Sequence, residues 1–213
     1  MPQRENLGRF MLETEPGTFP LGRDSLLLGE FATVRSGWQV WDLGCGGGVL
    51  LLLLAQRAER LGLTGVELDP AAAELARRNL RDNGLAGEIV AGDVTALPLP
   101  PGAADLVVSN PPFFPADAGR SGGPARSEET LTLTGLCTAA ARLLRSGGRF
   151  ALCGRPHRLT ALLDETRRAW LEPKRLQLVH HSTAHPPFLM LLECVRGGRP
   201  GMELLPPEIM EGK

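Results

Sequence analysis

The chain contains no tyrosine, and its 213 residues include only seven Phe and three Trp. An aromatic inside a motif therefore deserves individual weight. Cysteine is also sparse: Cys45, Cys137, Cys153 and Cys194 form no C-x-x-C pair and keep no regular spacing. They read as small buried hydrophobes in a reducing compartment, not as a disulfide framework. Lysine occurs only at Lys174 and Lys213, so nearly every cation is an arginine. Arginine forks suit phosphate, although GC-rich codon usage produces the same bias. The N-terminus, Met1-Pro2-Gln3-Arg4-Glu5-Asn6, has no signal-peptide core. The longest leucine-rich run, residues 49–55, falls far short of the roughly 20 residues that cross a bilayer. A soluble, cytoplasmic protein without membrane contact is expected.

Hydrophobic residues make up 43% and charged residues 22%, so the chain can build a full core without a metal or disulfide staple. The length suits one domain over 1–213, with 1–36 as an N-terminal, substrate-side segment and 196–213 as an irregular tail. The net charge of −1 conceals an asymmetry. Residues 1–118 carry 9 Lys+Arg against 15 Asp+Glu, and residues 119–213 carry 14 against 9. An acidic half joined to a basic half can still bind phosphate locally.

Short β-like runs alternate with helical segments, the signature of a parallel α/β sheet. Strands are predicted over 37–42, 63–67, 88–91, 104–109, 149–153, 175–180 and 188–195. Helices are predicted over 49–60, 70–82, 128–145 and 156–170. Asp69-Pro70 supplies an N-cap and a first-turn proline, and Asn83-Gly84 a helix stop. Residues 114–127 are loop by composition.

Four constellations carry chemistry. Asp42-Leu43-Gly44-Cys45-Gly46-Gly47-Gly48 lies between a strand and a helix, where open α/β sheets bind ligands. Its order is D-x-G-x-G-x-G. The dinucleotide fingerprint fails at Val49, which disfavours a nicotinamide or flavin site. Glu67 ends the second strand, where a carboxylate can accept ribose hydroxyls. Asp93 ends the third; it can accept from an adenine amino group or cap the next turn. Asn110-Pro111-Pro112-Phe113 ends the fourth. Its prolines fix the backbone, so that the Asn110 oxygen and the Pro111 carbonyl can accept both hydrogens of an exocyclic amine. Phe113 offers a stacking face for a base.

Two further groups are weaker. His180, His181 and His185 lie on or beside a strand whose neighbouring residues face opposite sides, which argues against a metal site. Arg155, Arg158, Arg167, Arg168, Lys174 and Arg175 form either one basic patch or a solvated face.

Together the motifs resemble the class I S-adenosylmethionine-dependent methyltransferases with an N-P-P-[FYW] motif. More narrowly, the chain is similar to bacterial tRNA adenine-N6 methyltransferases that modify adenosine 37 of a valine tRNA. Residues 19–28, Ala125-Arg126-Ser127-Glu128, Arg155–Leu159, Gly197–Gly201 and Leu205-Pro206-Pro207 look like that family's flanking elements. The family often has Thr or Ser where Gly47 stands, and more often Tyr where Phe113 stands.

The resemblance implies a Rossmann-like, mainly parallel seven-stranded sheet with helices on both faces. It implies S-adenosylmethionine held by Asp42, Gly44, Gly46, Gly48, Glu67 and Asp93. Asn110, Pro111 and Phe113 would then act on the target amine, and the partner would be RNA, in particular a tRNA anticodon loop met by a monomer. The N-P-P-F motif equally serves guanine N2 in rRNA or a glutamine side chain. A silent cofactor- or RNA-binding module is the alternative of another class.

Overall fold

The computed structural model describes residues 2–16, 21–111 and 132–210. Phe113, the 114–127 loop and the Ala125–Glu128 element lie outside them. The chain opens with an antiparallel hairpin, β1 (Gln3–Asn6) and β2 (Met11–Thr14), followed by α1 (Arg23–Phe31). Then come β3 (Gln39–Leu43), α2 (Val49–Arg57), β4 (Gly62–Glu67), α3 (Pro70–Asp82), β5 (Gly87–Ala91) and β6 (Ala104–Ser109). The second half supplies α4 (Leu133–Leu143), β7 (Leu144–Gly154), α5 (Leu159–Arg168), β8 (Leu171–His180) and β9 (Pro187–Arg196).

The seven long strands form one sheet in the order β8-β9-β7-β6-β3-β4-β5. Only β9 runs antiparallel to its neighbours. Alternating side chains divide the interior into two layers. Leu106, Val108, Ala151, Cys153, Leu189 and Leu191 join α1, α2 and α3 on one face. Val107, Phe150, Leu152, Met190 and Leu192 join α4 and α5 on the other. The leucine run is thereby explained: Leu50, Leu51, Leu52 and Leu54 of α2 are all buried in the first layer.

Local signals hold where they were read. Asp69 caps α3 by accepting from Ala71 N–H at 3.0 Å, with Pro70 in the first turn. Gly84 closes that helix at φ +68. Three readings change. The expected helix over 156–170 opens as a 3₁₀ turn at Pro156–Arg158, and α5 runs only from Leu159 to Arg168. Within the described part of 128–145, the helix ends at Leu143, and Ser146-Gly147-Gly148 falls inside β7, opposite a register shift in β6.

The tail is not irregular: β10 (Glu203–Leu204) and β11 (Glu208–Ile209) both add to β8 in parallel. Two-residue strands split by Pro206-Pro207 leave no periodicity to read. Their effect is to cover the edge of β8. No described helix is long and apolar enough to cross a membrane.

Candidate active site

The strand order reverses beside β3, with β4 on one side and β6 on the other. Ligands of open α/β sheets sit at such a switch point, beyond the C-terminal strand ends. A cavity of about 680 Å³ occupies this position. Asp42, Gly44 to Gly47 of the glycine loop, Glu67, Asp93, Asn110 and Pro111 line it, whereas Gly48, also expected at the cofactor, packs against Ala76 of α3 and does not. The structure thus brings together residues from all four constellations, with Gly48 the one described site residue left out.

The loop between β3 and α2 turns on left-handed glycines, with φ of +78, +51 and +84 at Gly44, Gly46 and Gly48. Space around Gly44 and Gly46 is open, whereas a Cβ on Gly48 would meet Ala76 at 3.4 Å. Gly44 and Cys45 N–H donate to the Val66 carbonyl at 2.8 and 3.1 Å, tying the loop to β4. Glu67 buttresses the same loop. Its Oε2 accepts from Gly46 N–H at 2.8 Å and its Oε1 from Asp69 N–H at 2.9 Å. Each carboxylate oxygen keeps a lone pair for a ribose hydroxyl. Asp93 both lines the cavity and caps a turn, its Oδ1 accepting from Thr95 N–H and Oγ–H, both at 2.7 Å.

Asp42 is the outlier. It is 1% exposed, and neither carboxylate oxygen has a hydrogen-bond partner. Burial, and next the nearby Glu67 charge, push its carboxyl well above the usual carboxylate range. A buried acid without a partner is suited to a cationic or hydrogen-donating ligand group.

Asn110 stands at the end of β6, and Pro111 beside it is buried. The Asn110 amide is already held on both sides. Its Nδ2 donates to Ser25 Oγ at 2.9 Å, and Cys153 Sγ–H meets its Oδ1 at 2.8 Å. Burial, above all, raises the Cys153 thiol, so it stays a donor. One Oδ1 lone pair is therefore engaged and the second is available to an amine. Ser109, next to Asn110, fixes the strand end by donating to the Leu43 carbonyl at 2.7 Å.

Sequence reasoning missed several residues. Ser25 lies in the 19–28 element with no role of its own, and Cys153 reads only as a buried hydrophobe; they meet Asn110 because α1 and β7 converge there. Arg155 also reaches the cavity, beside Asp24 at 3.8 Å. The segment 1–36 divides. Its α1 faces Asn110, but its hairpin lies over the glycine loop, where Leu12 and Thr14 line the cavity. The asparagines of α3, Asn79 and Asn83, hold that hairpin; their helical spacing was the available signal.

Of the two readings of the 155–175 basic group, the described contacts favour separate ion pairs over one patch. Arg175 lies over the Phe31 ring at 4.6 Å and pairs with Glu193, while Lys174 Nζ donates to the Arg199 carbonyl at 2.9 Å. Arg167 pairs with Glu172 and Arg168 with Glu165, at the opposite end of α5 from Arg155. The histidines lie at or near the surface: His181 stacks on Phe188 at 3.9 Å, and His185 Nδ1 lies 2.6 Å from Ser182 Oγ.

Comparison with known proteins adds three findings. The methyltransferase small domain model matches residues 12–166. Two proteins named tRNA1(Val) (adenine(37)-N6)-methyltransferase align over most of the chain. The Dickeya chrysanthemi protein is 33% identical over 89% of this chain and 78% of its own length. The Serratia proteamaculans protein is 35% identical over 80% and 68%. A Porphyromonas gingivalis protein of the same name is 36% identical, and the match spans 62% of its length. Among solved structures, a predicted O-methyltransferase from Agrobacterium tumefaciens superposes with a TM-score of 0.74 at 24% identity, over 88% of each chain. A T. thermophilus 16S rRNA N2 methyltransferase in complex with AdoMet and guanosine superposes with a TM-score of 0.66 at 24% identity, over 92% of this chain and 50% of that one.

Proposed function

The chain belongs to the methyltransferase small domain family, and from that premise we propose that it methylates the exocyclic N6 amine of an adenine in tRNA. The names of the aligned relatives support adenosine 37 of a valine tRNA as the target. The working unit of this reading is one domain over 1–213, a cytoplasmic monomer that meets an anticodon loop. The observation that carries it is the Asn110–Pro111 strand end opening on the same cavity as the glycine loop.

The residues present fit S-adenosylmethionine. Asp42 is a buried acceptor without a partner, the Gly44–Gly46 turn leaves room for close approach, and Glu67 and Asp93 keep acceptor capacity at neighbouring strand ends. When bound, this cofactor supplies a methyl group already activated by the sulfonium charge. The protein's task is then orientation and exclusion of water more than proton removal. Asn110 Oδ1 and the Pro111 carbonyl accept the two hydrogens of the target amine and leave its lone pair free to attack. Ser25 and Cys153 keep the amide from rotating out of that pose. A base must leave its stack to enter such a pocket, which costs least in a loop.

The test is incubation with labelled S-adenosylmethionine and bulk tRNA or rRNA lacking native modification, followed by nucleoside mass spectrometry. N6-methyladenosine from tRNA is expected; N2-methylguanosine from rRNA would move the substrate. Asn110→Ala should retain cofactor affinity and lose turnover by about 10²-fold or more. Normal turnover in that variant would refute the amine clamp.

A further inference from the structure

Strand β2 pairs with β1 along one edge only. Among the described residues its other edge meets no third strand. It meets two side-chain amides of α3. Asn83 accepts from Met11 N–H at 2.8 Å through Oδ1 and donates to the Met11 carbonyl at 2.7 Å. Asn79 does the same for Glu13, at 2.9 and 3.0 Å. The spacing explains the fit. Four residues of α-helix rise about 6 Å, and two residues of strand advance about 6.8 Å. Two asparagines one turn apart on a helix face therefore match the outward-facing peptide groups of alternate strand residues.

The alternation has a second consequence. With the main chain of Met11 and Glu13 facing α3, the side chains of Leu12 and Thr14 turn inward, where both are buried and line the cavity. Asn79 does one thing that Asn83 does not. Its Nδ2 also donates to the Gly47 carbonyl, at 2.9 Å, inside the glycine loop. A single amide, 2% exposed, thus bonds the hairpin and the loop at once.

We propose that the β1–β2 hairpin is a wall of the cofactor pocket and that Asn79 is the positioning residue coupling its docking to the glycine loop. The inference rests on the cofactor reading above, not on the choice of RNA. Coupling of this kind is reciprocal. Cofactor binding should tighten the hairpin, and loosening the hairpin should weaken cofactor binding. Asn83 discriminates between coupling and a local effect. It touches neither the loop nor the cavity lining; besides Met11 it donates to the Asn79 main-chain carbonyl at 2.7 Å, so its removal frees the hairpin while the Asn79 side chain keeps its own bonds to Glu13 and Gly47.

The experiment measures S-adenosylhomocysteine binding by calorimetry and amide exchange of residues 3–14 with and without that ligand. The proteins are the full-length wild type, Asn79→Ala and Asn83→Ala. In the wild type the ligand should slow exchange at 11–14. Asn83→Ala should bind about 3–10-fold more weakly and Asn79→Ala at least about 10-fold more weakly, each with a smaller ligand-induced slowing, since each variant loses three hydrogen bonds but only Asn79→Ala loses one inside the glycine loop. If Asn79→Ala does not fold, Asn83→Ala alone decides. Wild-type affinity in a variant whose hairpin exchanges faster would overturn the proposal while leaving the cofactor reading intact. No binding by the wild type would overturn both.

Discussion

Asp42 is held at 1% exposure with neither oxygen hydrogen-bonded among the described residues, and burial, then the Glu67 charge, raises its pKa. The sign of its effect on stability follows. A carboxyl raised in the folded state binds a proton that the unfolded chain has already released. The favourable contribution is therefore complete below the ordinary aspartate range near pH 4, and it is lost as pH rises towards the raised value. Asp42→Asn should remove this dependence. Near pH 4 the variant should match the wild type in urea denaturation; at pH 8 it should be the more stable of the two, because the amide has no charge to desolvate. It should also bind S-adenosylhomocysteine more weakly. A variant less stable than wild type at pH 8 would refute the argument. Asp42 was legible in the sequence because D-x-G-x-G-x-G is a local pattern. Ser25, Cys153 and Asn79 were not, because an ordinary polar residue acquires its role from whichever strand end or loop the tertiary fold brings against it.

At the scale of elements, alternation and capping made most of the frame readable. Residues 104–109 contain both faces of a doubly covered strand, and Asp69-Pro70 marks a helix start by chemistry alone. The N-terminal hairpin was missed because β1 is polar and four residues long, and its partner edge is supplied by α3. Gly65 on β4 illustrates how closely elements meet at the site. A Cβ there would stand 2.6 Å from Cys45 Sγ and 2.7 Å from Ile89 Cδ1. Strand β4 thus supports the glycine loop from below by having no side chain. Gly65→Ala should cost about 1–3 kcal/mol of stability, as overpacking does, and should lower affinity for S-adenosylhomocysteine by shifting Cys45. Combining it with Cys45→Ala should recover part of both losses, because the two positions share one contact. Strict additivity in that double-mutant cycle would show that the loop does not feel the strand.

Across the whole molecule, the charge asymmetry of the sequence becomes an asymmetry of the sheet. Residues 1–118 supply β3 to β6 and residues 119–213 supply β7 to β11, and the two sets lie side by side. Much of the positive charge in the second half is consumed internally, which composition could not reveal. Glu193 on β9 is fully buried and accepts from Arg149 at 2.6 Å, from Arg175 at 3.3 Å, and from Thr33 N–H and Oγ–H at 2.7 and 3.0 Å. It ties β7, β8 and β9 to the segment that leaves α1, the helix that carries Ser25 to Asn110. Removing one member of a buried ion group leaves the others desolvated and unpaired. Both arginines remain about a quarter exposed, so solvent relieves part of that cost. Glu193→Ala should therefore lose about 2–4 kcal/mol, read as a lower urea midpoint at unchanged m. Glu193→Gln should lose less, since the amide oxygen can still accept from Thr33 or one arginine. Affinity for S-adenosylhomocysteine should hold in both variants, because Glu193, on β9 between β8 and β7, does not line the cavity. A fall in that affinity at a temperature where the variant is still fully folded would place Glu193 in the support of the cofactor site, beyond the joining of the two halves.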